Sequence, residues 1–147
     1  MSPSDHHSAC FPSFVDLPIF SDPRGDLTVA EFGTLPFFPR RLFIQSVNRR
    51  GTIRGEHAHH GCSQLLIVIE GSIEVTLESC GGIQTEILQD PSVGLLIPPM
   101  VWASQLFQGK SGKTLVLASE AYSEKDYIRS KEEFDSLLKV HVATKLR

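Results

Sequence analysis

Cysteine, tryptophan and tyrosine are scarce in this chain. Its three cysteines, Cys10, Cys62 and Cys80, are widely spaced among 147 residues, and no two form a Cys-x-x-Cys pair. An odd, scattered set supports neither a disulfide framework nor a zinc ribbon, so reduced thiols of minor structural weight are expected. Long apolar runs are missing too. The longest aliphatic stretch, Leu65–Ile69, falls far short of the roughly 20 residues a bilayer span requires. Residues 1–7 hold no apolar signal core, so the expected location is the cytoplasm, with no membrane partner. Neither sign of charge dominates: 14 Lys and Arg against 17 Asp and Glu leave a net charge of -3. A mildly acidic balance argues against nucleic acid as a partner.

What remains is an ordinary globular composition, 41% hydrophobic and 21% charged, long enough for one domain with a sizeable core. Residues 1–12 are polar and read as a mobile N-terminus; residues 13–147 read as a single domain. Short runs rich in β-branched and aliphatic residues follow one another between turn signals such as Asp22-Pro23-Arg24-Gly25, Glu70-Gly71 and Asp90-Pro91. The predicted strands are Ser13–Phe20, Leu27–Phe32, Arg41–Asn48, Thr52–His59, Gln64–Glu70, Ser72–Glu78, Gly82–Gln89, Gly94–Ile97 and Thr114–Ser119. Many short strands without intervening helices predict an all-β antiparallel sandwich or barrel. One helix is predicted, over 126–140, with Ser130 to Glu133 as a capping box within it. Leu65–Ile69 is apolar at every position, whereas a strand with one wet face alternates. Its second face therefore predicts a covering subunit, and so a homodimer packed through a sheet.

The chemistry concentrates between Gly51 and Gly71. In a strand His57 and His59 share one face, about 7 Å apart at Cα, with Glu56, Ala58 and His60 on the other. Two inward imidazoles side by side are candidates for proton transfer, because imidazole titrates near pH 6.5. The cluster Arg40, Arg41, Arg49, Arg50 and Arg54 fits either a solvated strand edge or the recognition of a small anion such as a phosphate.

The spacing Gly51, His57-x-His59, position 64, Gly71 resembles the first cupin motif, with Gln64 where that motif carries Glu. The second motif's region is Pro98-Pro99-Met100-Val101-Trp102-Ala103, where Met100 replaces a glycine and Ala103 the metal-binding histidine. Two histidines and a neutral amide make a poor trap for zinc or iron, so no metal and no cofactor are expected. Longer strings are similar to the cupin-superfamily nucleotide-sugar 3,4-ketoisomerases over about residues 12–138. They are Arg41-Leu-Phe-Ile, Arg54-Gly-Glu-His-Ala-His59, Pro91 to Trp102, Leu115 to Ser119 and Asp126-Tyr127-Ile128-Arg129.

That resemblance implies a jelly-roll homodimer. It also implies metal-free isomerisation of dTDP-4-oxo-6-deoxyglucose to a 3-oxo sugar, in deoxyamino-sugar biosynthesis, with His57 and His59 as the catalytic pair. His57 is expected to be the base and His59 its partner. Arg41 and Arg54 are expected on the diphosphate and Gln64 on a sugar hydroxyl, while Trp102 fits equally a contact with the substrate and a core aromatic at the barrel end. Two departures stand out: Phe43 occupies a position where the family often carries tyrosine, and Ala103 one where it carries histidine or arginine. The rival readings are a metal-dependent cupin enzyme, a non-catalytic sugar-binding cupin, and a 3,5-epimerase of the same kind of sugar.

Overall fold

A computed structural model describes residues 11–147; the N-terminal segment predicted to be mobile lies largely outside the described residues. The strands are β1 (Ser13–Asp16), β2 (Ile19–Asp22), β3 (Gly25–Thr28), β4 (Arg41–Val47), β5 (Ile53–His59), β6 (Gln64–Glu70), β7 (Ile73–Ser79), β8 (Gly82–Leu88), β9 (Val93–Ile97), β10 (Trp102–Phe107), β11 (Gly112–Ala118) and β12 (Tyr127–Ile128), followed by the helix α1 (Lys131–Lys145). Two five-stranded antiparallel sheets face each other, in the orders β1-β9-β6-β11-β4 and β12-β5-β10-β7-β8, while β2 and β3 form a separate hairpin. This is the all-β cupin architecture.

Period-two patterning builds the interior. Val47, Leu66, Val68, Ile73, Val75, Leu77, Ala103, Phe107 and Val116 form one buried cluster between the sheets, with Phe43 packed against it. Burying each large side chain contributes about 1.5–3 kcal/mol. Gly112 is part of that packing: a Cβ there would stand 2.7 Å from the Phe107 ring. The outer face of the first sheet is covered differently from expectation. Leu65, Ile67 and Leu117 are buried under Leu17, Val15, Ala30, Leu35 and Phe37 of the same chain. The doubly apolar β6 is thus covered largely in cis, and of its apolar run Leu65–Ile69 only Ile69 is exposed, at 46%.

Other boundaries also differ. Leu17-Pro18 splits the predicted first strand into β1 and β2, since proline brings no N–H to a ladder. The predicted Leu27–Phe32 strand stops at Thr28 and yields to a 3-10 turn over Phe32–Thr34. A whole strand, β10, was not anticipated, because Trp-Ala-Ser-Gln-Leu-Phe has neither β-branched residues nor clean alternation. The helix starts five residues later than predicted. Tyr127 and Ile128 pair instead with His59 and Ala58 on β5, and the helix begins where the Ser130 hydroxyl accepts the Glu133 N–H at 3.2 Å. Cys62 is a buried free thiol, but Cys80 is disulfide-bonded, against the reduced state inferred from the odd cysteine count.

Candidate active site

β5 carries the histidines and contains the one break in its alternation. Ala103 pairs with His57 but Ser104 with Gly55, a register shift, and Gly55 and Glu56 both hold positive φ, 84° and 60°. The strand can bulge here because position 55 is glycine: a Cβ would meet the Ala103 carbonyl oxygen at 2.8 Å. Strict alternation would put Arg54 on the face opposite His57. The bulge turns it round, so that both line one cavity with Phe43, Gln45, Ile53, Gly55, Tyr127 and Arg129, about 380 Å³ in volume.

The two imidazoles stand edge to face, 5.0 Å between ring centroids, and the Tyr127 ring lies 5.1 Å from His57 and 4.4 Å from His59. His57 is half-buried at the cavity wall. His59 is only 5% exposed, and its Nδ1 is 2.9 Å from the Asp126 carboxylate. The other Asp126 oxygen accepts the Gly61 N–H at 2.7 Å, which fixes the carboxylate. The His59 Nε2 is buried without a hydrogen-bond partner. With Nδ1 donating to the carboxylate, Nε2 keeps its lone pair.

Burial pushes both imidazoles down. For His59 it wins over the favourable Asp126 hydrogen bond, with the nearby His57 adding to the shift, and the value falls to about 4. For His57 burial again leads, against a backbone hydrogen bond at Gly55, and the Arg129 guanidinium lowers it further. Both rings are therefore neutral proton acceptors at pH 7.

Arg41 and Gln64 flank this pair on the inner face of the first sheet, both in register with Ala118. The Arg41 guanidinium lies 5.3 Å from the Phe43 ring centroid and 5.5 Å from that of Tyr122. Arg41 Nε, Gln64 Nε2 and Gln105 Oε1 are, like His59 Nε2, buried without partners. Buried polar groups are nearly always paired in proteins, and each unpaired one costs about 1–3 kcal/mol. Three of these atoms, on Arg41, His59 and Gln64, belong to residues at strand ends that meet at one end of the interior, and they mark a surface shaped for a polar ligand.

Trp102 is not brought to this group. It lies on the outer face of β10, its ring 5.6 Å from that of Phe134 beneath α1, because Ala103, next to it in the strand, takes the inward position. The sequence reading missed Asp126, Tyr127 and Arg129 as site residues. Their Asp-Tyr-Ile-Arg string stood out only as a resemblance, and nothing local reveals that β12 docks on β5. Arg129 lies 4.3 Å from the Tyr127 ring centroid and is paired with Glu124 at 2.9 Å. The interior donors do not suit the metal ion of other cupins: Gln64 is a neutral amide and Ala103 offers no donor atom.

Residues 12–139 match the family described as FdtA: WxcM-like, C-terminal. A TDP-4-oxo-6-deoxy-alpha-D-glucose-3,4-oxoisomerase of Aneurinibacillus thermoaerophilus is 35% identical over 114 residues, 77% of this chain and 82% of the relative. The chain belongs to this family. Among solved members, the sugar 3,4-ketoisomerase QdtA of Thermoanaerobacterium thermosaccharolyticum, in complex with TDP, superposes with a TM-score of 0.84 at 32% identity, covering 88% of this chain and 96% of QdtA. A histidine-to-asparagine variant of QdtA has been solved with TDP-4-keto-6-deoxyglucose. A 3,4-ketoisomerase of Helicobacter canadensis superposes with a TM-score of 0.82 at 32% identity, over 87% of this chain and 97% of that protein.

Proposed function

We propose that this chain is a metal-independent isomerase that moves the ketone of dTDP-4-oxo-6-deoxyglucose from C4 to C3. The observation that carries the reading is the His57–His59 pair, two neutral imidazoles in edge-to-face contact, with His57 in the wall of a cavity whose lining includes two arginines and His59 buried behind it. The activity of the relatives supports it. Arg54 and Arg129, both at the cavity, hold the diphosphate by charge and by the fit of guanidinium to phosphate. Arg41 lies outside that lining and faces the sugar, where its unpartnered Nε stabilises the oxyanion that develops from the ketone. Gln64 binds a sugar hydroxyl.

Two proton shifts complete the reaction and balance. His57 takes the C3 proton, which the adjacent ketone makes acidic, and delivers it to O4, giving an enediol. His59 takes the O3 proton through Nε2 and delivers it to C4, leaving the ketone at C3. Asp126 is a positioning residue: it holds the His59 tautomer and favours the imidazolium while His59 carries the proton. Each histidine accepts before it donates, which suits two rings that begin neutral, and both end neutral. No redox cofactor takes part.

Proton NMR of dTDP-4-oxo-6-deoxyglucose incubated with the protein in deuterated water tests this. The expected result is a 3-oxo product carrying deuterium at C4. Binding of the nucleotide sugar with neither isomerisation nor exchange would establish the non-catalytic sugar-binding reading instead. Activity that vanished on chelation and returned with one divalent ion would establish the metal-dependent one.

The protein acts as a homodimer in the cytoplasm. Leu42, Ile44 and Ile69 are exposed on the outer face of the first sheet, beside an apolar groove of about 330 Å³ lined in part by Leu17, Phe32, Ile67 and Leu115. An exposed apolar face of this extent is what an obligate interface covers. Light scattering is expected to give twice the 16.3 kDa chain mass; a particle of chain mass at micromolar concentration removes the dimer.

A further inference from the structure

The back of the catalytic histidine carries a second constellation. A ring nitrogen of His59, Cys62 Sγ and an Asp126 carboxylate oxygen all lie within 4.8 Å of one another, and Nδ1 is the nitrogen that lies 2.9 Å from that carboxylate. The turn after β5 closes this corner: the His60 N–H donates to the Asp126 backbone oxygen at 2.9 Å and the Gly61 N–H to the Asp126 carboxylate at 2.7 Å. The Cys62 thiol is 2% exposed and is engaged only weakly, 3.4 Å from the Ser63 carbonyl oxygen and 3.9 Å from the Ser119 hydroxyl. Asp126, at 20% exposure, connects the corner to solvent.

We propose that His59, Cys62 and Asp126 form a binding site for a thiophilic divalent cation of the zinc class, behind the barrel wall, whose occupation switches His59 off.

The donor set favours such an ion. Thiolate, imidazole and carboxylate are zinc's usual ligands, at about 2.3, 2.0–2.1 and 2.0–2.2 Å, so three donors already this close need only a small contraction. A thiolate and a carboxylate together neutralise a dication, which Gln64 and Ala103 inside the barrel cannot do. On binding, the thiol S–H bond breaks, an S–metal bond forms and the proton passes to solvent. The ring changes tautomer: the proton leaves Nδ1, whose lone pair binds the metal, and one is taken up at Nε2, with no net change in the ring's protons. The neutral ring then carries its proton on Nε2 and can no longer accept one from the substrate. The site uses the nitrogen opposite to the one that faces the reaction, so the metal inhibits without entering the cavity.

The inhibition rests on the proposed role of His59; the binding does not. Chelator-treated protein is titrated with Co²⁺ and read by absorption. The expected result is one ion per chain, with tetrahedral visible bands and a thiolate-to-cobalt charge-transfer band. Cys62→Ala removes the charge-transfer band and weakens Zn²⁺ binding by at least the roughly 10–100-fold that loss of a mere outer-shell partner costs, while activity of the metal-free protein is unchanged. Cys62→Ser serves the same end if the alanine variant does not fold. Zn²⁺ inhibits the parent reversibly and spares the Cys62 variant. A missing charge-transfer band, or one that survives in the variant, overturns the site. So does equal inhibition of both proteins, which would place the ion on the inward nitrogens. A Cys62-dependent band in a protein without isomerase activity leaves the site standing and removes the proposed function alone.

Discussion

The two ends of the barrel interior follow opposite rules. At one end Val47, Val68, Ile73 and Phe107 are buried in a single apolar cluster, none exposed beyond 8%. At the other end His57 and His59 stand in ring contact, Arg41 and Gln64 lie on the facing sheet, and three of these four carry buried polar atoms with no partner. Between them, Thr114 and Gln45 hydrogen-bond across β11 and β4 at 3.1 Å, so this interior can satisfy an amide where it has only structure to serve. The dry end supplies stability. The polar end gives stability up and holds groups ready for a ligand, the pattern expected where local rules are broken for function.

Substitutions at the polar end should therefore change rate, and at the dry end stability. The largest effect is expected from His57→Asn and His59→Asn, each lowering isomerisation by about 10²–10⁴-fold, roughly 3–5 kcal/mol of barrier, with the fold retained. The two losses should not add in full, since the residues act as a unit. Exchange separates their roles: the His57 variant should lose deuterium incorporation at C3, whereas the His59 variant should still wash it into unreacted substrate. Either variant turning over at the parental rate would remove that residue from the mechanism. At the dry end Phe107→Ala should lower unfolding stability by about 3–5 kcal/mol while leaving KM and kcat unchanged at a temperature where it remains folded. A comparable loss of kcat there would break the division between the ends.

The same division governs what could be read from the sequence. The seven strands from β4 to β9 and β11 were legible because short apolar or alternating runs bounded by tight turns are local signals. So was the His-x-His face. Strand β10 was hidden because its inward positions, Ala103, Gln105 and Phe107, include a small residue and an amide, which is itself a mark of the polar end. Asp126, Tyr127 and Arg129 were hidden for another reason. They arrive through β12 pairing on β5, 67 residues from His59, and no pattern within the tail announces a tertiary contact. The Gly55–Glu56 bulge could not be inferred either, since a lone glycine in a strand does not say which way the next side chain turns. Trp102 shows the converse: its place in a motif suggested the site, but its parity in β10 put it under the helix.

Acid should weaken the polar end specifically. His59 is held at about 4 in the folded protein, against about 6.5 for an unfolded histidine. Between these values the unfolded chain binds the proton and the folded one does not. This contribution to stability is therefore complete above pH 6.5 and is lost as pH falls towards 4, on the order of 3 kcal/mol in all. Urea unfolding of the parent and of His59→Asn across that window checks it: the parent should lose more stability than the variant. The same shift keeps His59 able to accept a proton well below pH 6.5, so the acid limb of the rate profile should lie below the ordinary imidazole range.

The smallest effect is expected from Gln64→Leu, and it tests whether the unpartnered atoms are the cost of the site. Gln64 is 8% exposed, and its Nε2 has no hydrogen-bond partner. A leucine of similar size removes an unsatisfied amide and buries apolar surface beside Ala118 and Ile97, its neighbours across the sheet. Stability should rise by about 1 kcal/mol, the reverse of the usual sign for a substitution in a packed interior. Substrate affinity should fall in exchange, because a sugar hydroxyl loses its partner, with KM raised and the deuterium pattern of the product unchanged. A variant that is both less stable and unchanged in KM would mean that the amide is paired in solution, and that this end of the barrel is not held open for a polar ligand.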